Sequence, residues 1–208
     1  RLSRLGGYFE MDFAGNTPGT VAVTSSSVGF RLRQGFAEAQ YKGGFFVAAG
    51  QAFSLMTPAK EQLSIWPSEF EMGTAVDTNY LAGVVWTRSP QLRFTYRPSS
   101  KFNWAVAVEN PEQQLGRALV TLPSCCIPDL EAQYNTGNDE LSVPNLMPDF
   151  VSRVAFNPVK AFHVDVGGIL RVFRHHLTQF DKDFRSAGGG ISINSRFNPA
   201  AATKLMLQ

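Results

Sequence analysis

Apolar and polar residues alternate with a period of two through segment after segment of this chain. From Leu5 to Phe13 the odd positions Leu5, Gly7, Phe9, Met11 and Phe13 are apolar or small, and the even ones carry Tyr8, Glu10 and Asp12. Side chains of a strand point alternately to its two faces, so such a segment has one greasy and one polar face. The same pattern sets Leu92, Phe94 and Tyr96 against Gln91, Arg93 and Thr95. It sets Phe102, Trp104, Val106 and Val108 against Asn103, Ala105, Ala107 and Glu109. Asp149 to Phe156, Phe162 to Val172 and Ile191 to Phe197 repeat it, with Ile169 breaking the polar face of the second. Phe30 to Tyr41 and Phe45 to Leu55 fit less cleanly. The latter is apolar on both faces, as at a subunit contact or a plugged region. Tyr80 to Trp86 is also apolar and could run on into the Gln91 segment as one strand interrupted by Pro90.

Alternation alone does not separate a membrane barrel from a soluble antiparallel sandwich, because both bury one face of each strand. The connections discriminate. A long link from about Ala14 to Gly29 is followed by the tight Lys42-Gly43-Gly44, and the link from Met56 to about Asn79 by the tight stretch from Arg97 to Lys101. The very long Asn110 to Met147 precedes the tight Asn157 to Ala161, and a medium link from Arg174 to about Arg185 precedes the short Asn198 to Thr203. Up-and-down outer-membrane barrels alternate in this way, with long loops at one rim and short turns at the other. Three of the short turns open on an aromatic, one residue and a proline: Tyr96-Arg97-Pro98, Phe156-Asn157-Pro158 and Phe197-Asn198-Pro199. Two close on Phe102 and Phe162. Aromatics at one end of successive hairpins are what a membrane interface selects, and proline is tolerated in a turn that needs no ladder donor. The fold class expected is all-β, an antiparallel up-and-down transmembrane β-barrel.

Composition changes this picture little. The 208 residues carry a formal net charge of +2 and 17% charged side chains. That excludes a disordered chain and gives no basic patch for nucleic acid. No apolar run reaches the roughly 18 residues of a membrane helix. A barrel strand of about 10 half-apolar residues leaves no such mark. The chain starts at Arg1 without a signal peptide and stops within the apolar run Leu205-Met206-Leu207. A closed barrel does not end in mid-strand, so residues 1–208 are expected to be part of one larger barrel domain.

If the apolar sets face lipid, the opposite positions face the lumen: Glu10, Asp12, Arg31, Arg33, Arg93, Arg153, His163, Asp165, Arg171 and Arg196. An arginine on the lipid side at mid-membrane costs about 2 to 4 kcal/mol, so parity and energetics agree. Guanidinium groups pair bidentately with carboxylates and remain charged. A row of them in a narrow channel favours anions by electrostatic focusing. Some would instead pair with Glu10, Asp12, Glu38 or Asp165 to stiffen the wall, roughly half of them, since confined charges tend to be paired.

Five stretches carry a resemblance. Phe9-Glu10-Met11-Asp12-Phe13, Phe30-Arg31-Leu32-Arg33-Gln34, Ala49 to Ser54, Ser89 to Tyr96 and Ala107 to Pro111 together resemble the DcaP-like porins of Gram-negative bacteria. That resemblance implies a 16-stranded outer-membrane barrel, a homotrimer, and uptake of dicarboxylates and related aromatic acids through a lumen made anion-selective by arginines. Of the arginines, Arg31, Arg33 and Arg93 lie inside the matching stretches; Arg153, Arg171 and Arg196 rest on parity. The segment 110–147, with Cys125 and Cys126, and a strand count near half that of the family depart from the pattern.

The remaining constellations carry less. Adjacent cysteines sit about 3.8 Å apart at Cα, below the usual disulfide range, so Cys125 and Cys126 would pair elsewhere if at all. His175-His176 before Asp181-Lys182-Asp183 reads as a solvated link or as a metal or anion contact at the channel mouth. Gly188-Gly189-Gly190 lacks the Lys-Ser/Thr of a phosphate loop and suits tight curvature or close packing. No nucleophile and base share a recognisable motif, so neither catalysis nor a cofactor is expected. The Met56 to Asn79 link holds Trp66, Phe70 and Met72, too apolar to be simply solvated; it would fold into the lumen as a constriction or cover a neighbouring subunit. The expectation is thus an outer-membrane, anion-preferring passive channel; a soluble all-β binding module is the alternative.

Overall fold

A computed structural model of the chain describes residues 1–15, 29–70, 85, 87–111, 147–177, 182–200 and 203–207. Among these residues nine strands form one sheet: β1 (Leu2–Gly15), β2 (Gly29–Tyr41), β3 (Phe45–Phe53), β4 (Arg88–Tyr96), β5 (Phe102–Glu109), β6 (Asp149–Val159), β7 (Phe162–Leu177), β8 (Lys182–Ala200) and β9 (Thr203–Leu207). Each pairs antiparallel with the next in chain order, so the sheet is a pure meander. Short turns at 42–44, 97–101 and 160–161 fall at one end, and the longer connections from β1 to β2, β3 to β4 and β5 to β6 at the other.

The alternation maps onto two faces. Phe9 is 68% exposed and Ile191 81%, and Leu5, Phe13, Phe30, Leu92, Trp104, Val154, Leu170 and Leu205 also lie open on the outer face. The opposite face is polar and buried where a non-strand segment covers it: Gln91, Arg93, Asn103, Glu109, Asp149, Arg153, His163, Asp165 and Asn194. A fold that exposes its apolar side chains and buries its charges is inside-out for water and right for lipid. Tyr41, Phe45, Tyr96, Phe102, Phe156 and Phe197 border the short turns on the exposed face.

Several strands run further than the alternation suggested. The medium link expected from Arg174 to Arg185 is only 178–181, because β7 and β8 stay paired through His176↔Asp183 and Leu177↔Lys182. His175 and His176 therefore lie on a strand, not in a link. Pairing depends on backbone groups, so a hairpin continues through charged residues that end the apolar pattern. β4 starts at Arg88 and contains Pro90, which faces Gln51 near the strand's end. Most of Tyr80 to Trp86, the 110–147 link with its two cysteines, and the 14–29 link lie wholly or largely outside the described residues.

On β2 the parity inverts. Glu10 pairs with Gln34 but Met11 pairs with Leu32, leaving Arg33 as the extra residue of a bulge. A bulge re-aims the side chains around it. Here it lets Gln34, Phe36 and Glu38 share the inner face with Arg31, although they differ in parity.

The covering segment is Ser54 to Phe70, most of the described part of the link after β3. It closes on itself through a bridge between Ala59 and Phe70 and a 3-10 turn at Pro67–Glu69. Leu55, Met56, Ala59 and Leu63 pack on Ala105, Ala107, Val151 and Ala155, with Ile169 at the margin. Ile65 packs on Phe36, Ala48 and Ala52, with Tyr8 and Trp66 against them. Ile169, which broke the polar face, and Ala48, on the inward side of the doubly apolar Phe45 to Gly50, are thus part of the floor on which this segment rests.

Three of the described glycines, Gly43, Gly44 and Gly50, have conformations that other residues avoid, and two of them contrast. Gly43 has φ +91° with open space around a Cβ, whereas a Cβ on Gly50, at φ +135°, would meet the Gly35 carbonyl oxygen at 2.2 Å and the Phe36 Cα at 2.6 Å. Gly43→Ala is expected to cost about 1 kcal/mol from backbone strain alone. Gly50→Ala, with backbone in its way, is expected to cost clearly more than about 3 kcal/mol or to prevent folding. Denaturant unfolding of both variants in the same detergent checks the order.

Candidate functional site: the inward segment and its arginines

The inner face is organised in rows set by strand register. One row runs Glu38, Ala48, Arg93, Ala107, Val151, Ile169, and the next Gln40, Phe46, Thr95, Ala105, Arg153, Gly167, Ser192. Each arginine has small neighbours on both sides. A Cβ on Gly167 would stand 2.7 Å from Arg153 Nε. The guanidinium groups therefore lie over the wall beneath the inward segment.

Both are spent on backbone carbonyls. Arg93 donates from Nη2 to the Phe53 oxygen at 2.7 Å, from Nη1 to the Ser64 oxygen at 3.4 Å, and from Nε to Gln91 Oε1 at 2.9 Å. Arg153 donates from Nη1 to the Thr57 oxygen at 2.7 Å and from Nη2 to the Met56 oxygen at 2.9 Å and Ser192 Oγ at 3.1 Å. Its Nη1 also lies 3.1 Å from Asp165 Oδ1. Each of the two residues is 1% exposed. Further donors complete the pattern: Thr95 to the Leu63 oxygen, Asn103 and Asn157 to the Glu61 oxygen, and the Leu55 N–H to Glu109 Oε1 at 2.7 Å. An irregular segment buried against a wall has carbonyls that no ladder satisfies, and side-chain donors must supply the missing bonds. Arginine, with five donors and no acceptor, suits that task.

The other arginines of the inner face meet carboxylates. Arg31 binds Asp12 through Nε at 3.0 Å and Nη2 at 2.5 Å. The bulged Arg33 bridges Glu10 at 2.6 Å and Asp12 at 3.0 Å. Arg171 pairs with Asp149, and Arg196 Nη2 lies 3.3 Å from Glu61 Oε1 on the inward segment. Five of the six arginines thus touch a carboxylate (Arg31, Arg33, Arg153, Arg171 and Arg196), more than the half expected from sequence. Glu38 is engaged by Trp66, whose Nε1 donates to it at 2.9 Å. The side chains of Arg31 and Arg33 remain 52% and 31% exposed, and those of Glu10 and Asp12 about as exposed as Arg33. Glu10, Asp12, Arg31 and Arg33 thus form one cluster near the long-loop end.

Residues that the alternation did not single out matter here. Arg97, in the turn after β4, stacks on the Phe46 ring with its Cζ 3.6 Å from the centroid and donates to Gln62. Burial lowers its guanidinium from the ordinary value, and Glu38 and Glu69 pull it back up. Asn157 also holds the segment, as do Asn103 and Glu109, which the alternation had already placed on the polar face of their strand. The proline turn motif drew attention to Asn157 only as a turn residue. Among the described residues no group of three or more His, Cys, Asp or Glu could hold a metal.

A single up-and-down antiparallel sheet, apolar outside, polar inside and holding a segment against its inner face, has the architecture of an outer-membrane β-barrel wall. Among solved structures the chain is similar to the outer membrane channel DcaP of Acinetobacter baumannii: the fold matches over 97% of this chain and 45% of that one, with a TM-score of 0.62 and 17% sequence identity. The chain spans a little under half of that channel's length, and what the two share is the fold. No protein-family model and no curated protein matches the sequence.

Removing a guanidinium from the buried set should cost far more than removing one from the open set. Arg153→Met takes the arginine away from the buried Asp165 and leaves the Met56 and Thr57 carbonyls without that donor, a loss of about 3 to 5 kcal/mol. Arg31→Gln should leave stability nearly unchanged. Equilibrium unfolding of both variants in one detergent checks this.

Proposed function

We propose that the chain is part of an outer-membrane porin, a passive diffusion channel for small solutes that prefers anions such as dicarboxylates. The observation that carries the reading is the Ser54 to Phe70 segment, pinned inside a sheet whose outer face is open and apolar. A segment folded against the lumen wall narrows the pore and sets its chemistry at the narrowest level. The likeness to an outer membrane channel supports the same reading. The proposal places the protein in the outer membrane, with lipid against the outer face. The homotrimer implied by the family resemblance belongs to the same proposal, as does a single barrel domain that includes residues 1–208. No covalent chemistry and no cofactor is invoked.

Within this reading the arginines divide into two groups. Arg93 and Arg153 fix the height and position of the constriction, and solutes pass without touching them. Arg31, Arg33, Arg171 and Arg196 keep guanidinium surface toward the lumen while paired, and they supply its positive potential. Glu10 and Asp12 moderate that potential and hold Arg31 and Arg33 in place. An approaching carboxylate can share a guanidinium with its resident partner, because the planar fork offers more donors than one carboxylate accepts.

Full-length protein in a planar bilayer under a salt gradient should give stable conductance steps with a reversal potential that favours anions. The double variant Arg31→Gln, Arg33→Gln should move that potential toward the cation side, and an unmoved potential would refute the assignment of those two residues. Deleting residues 58–63 should raise single-channel conductance; an unchanged value would remove the constriction. Folded protein that stays in solution without detergent and never conducts would favour a soluble β module.

A further inference from the structure

Between the inward segment and the first three strands lies a cavity of about 210 Å³. Its walls are the short-turn ends of β1, β2 and β3 and the stretch from Gln62 to Glu69, with Arg97 of the turn after β4 completing the lining. The space is built by close packing on one side. A Cβ on Gly6 would stand 3.0 Å from the Trp66 indole, so a glycine there lets the indole lie against β1. Arg97 is fixed over the Phe46 ring and donates to Gln62. Glu38 accepts from Trp66 Nε1, and a carboxylate that has accepted one bond keeps lone pairs for others.

Four charged groups line this cavity, the guanidiniums of Arg4 and Arg97 and the carboxylates of Glu38 and Glu69. Elsewhere on the inner face Arg31, Arg153 and Arg171 each touch a carboxylate directly. Here, among the described residues, opposite charges share one small space and none of the four makes an ion pair. Lys60 donates to the Ser68 carbonyl at 2.8 Å and does not line the cavity. Arg4 is exposed as well as lining, so its fork of donors is open to a solute.

We propose that this cavity binds a small zwitterion of the amino-acid class, whose carboxylate is taken by Arg4 and whose ammonium is taken by Glu69 and Glu38. The volume is below the roughly 300 Å³ at which sites for drug-sized ligands begin, which restricts the occupant to a small solute. The charge restricts it further. A dicarboxylate would set one of its ends against Glu38 and Glu69, and a diamine would set one of its ends against Arg4 and Arg97. A dipolar solute meets an opposite charge at both ends, and like charges brought together in a confined site are costly. The inference deepens the channel reading and rests on it for how the solute arrives. The cavity then lies on the short-turn side of the constriction, at a different level from the cluster of Arg31 and Arg33, and adds a second, charge-balanced selection to the anion preference of that cluster.

The test measures binding and needs no conductance. Full-length protein in detergent, keeping Trp66 as its one tryptophan, is titrated with L-alanine, β-alanine and γ-aminobutyrate, which differ in the spacing of their charges. Succinate and putrescine serve as the dianionic and dicationic probes. At least one zwitterion should change Trp66 emission saturably, with a Kd of about 1 mM that still permits release. Succinate and putrescine should bind at least about tenfold more weakly. Equilibrium dialysis of radiolabelled probes against the unmodified protein should give the same ranking. In Arg4→Gln two carboxylates face one guanidinium, and the preference should turn to putrescine; in Glu69→Gln it should turn to succinate. Dialysis that finds no saturable zwitterion binding, or succinate bound as tightly as the best zwitterion, would overturn the site, as would a preference that neither folded variant shifts. The ranking in the unmodified protein decides the matter even if a variant does not fold. Zwitterion binding by a protein that never conducts in a bilayer would refute the porin reading and leave the site, and conduction without such binding would do the reverse.

Discussion

A carbonyl group buried away from water needs a donor, and the donors available to an irregular segment inside a barrel are the side chains of the wall. Residues 54–70 do not form a strand ladder with their neighbours, so their carbonyls at Met56, Thr57, Glu61, Leu63 and Ser64 are served by Arg153, Asn103, Asn157, Thr95 and Arg93. Non-helical backbone is tolerated at membrane depth only where protein or a watery lumen satisfies it. That requirement explains the otherwise odd inner face of the sheet. Large arginines alternate with alanine and glycine, because the guanidinium groups need to lie flat beneath the segment and the segment needs room above them.

The two faces of the sheet answer to different solvents. On the outer face each strand offers one apolar position in two, and the aromatics near the short turns form a border. On the inner face the charges come as balanced groups rather than as a bare row of cations. Arg31 and Arg33 are set against Glu10 and Asp12, and Arg153 against Asp165. Balanced charge keeps the desolvation cost of the wall tolerable. In the proposed channel, selectivity then depends on which guanidinium surfaces stay open to the lumen, not on how many arginines face inward.

Much of the fold was legible in the sequence. The period-two pattern located most of the strands, and the alternation of long and short connections held as far as β7, the four residues between β7 and β8 being the exception. Parity correctly put Arg93, Arg153, Arg171 and Arg196 on the inner face, but parity names a face and not what lies on it. Nothing in the local sequence distinguishes Arg93, roofed by Ser64, from Arg31, which meets solvent, because the difference comes from a segment about thirty residues away in the chain. The bulge at Arg33 escaped for a related reason: a one-residue slip leaves the composition of β2 unchanged and inverts its pattern halfway. The β7–β8 hairpin was underestimated because charged residues beyond Arg174 read as a link, while the backbone ladder continues to Leu177↔Lys182. The role of Asn157 was hidden in a turn motif that also has a purely conformational explanation.

The central claim is that one face of this sheet meets lipid and the other meets the folded-in segment. Tryptophan quenching tests it with two reporters already in place, Trp104 on the outer face and Trp66 on the segment. In full-length protein reconstituted in vesicles, single-tryptophan variants keeping one or the other would be exposed to lipids brominated in the acyl chain. The account predicts strong quenching of Trp104 and little of Trp66. Quenching of Trp66 as strong as that of Trp104, or none of Trp104 in folded protein, would contradict it.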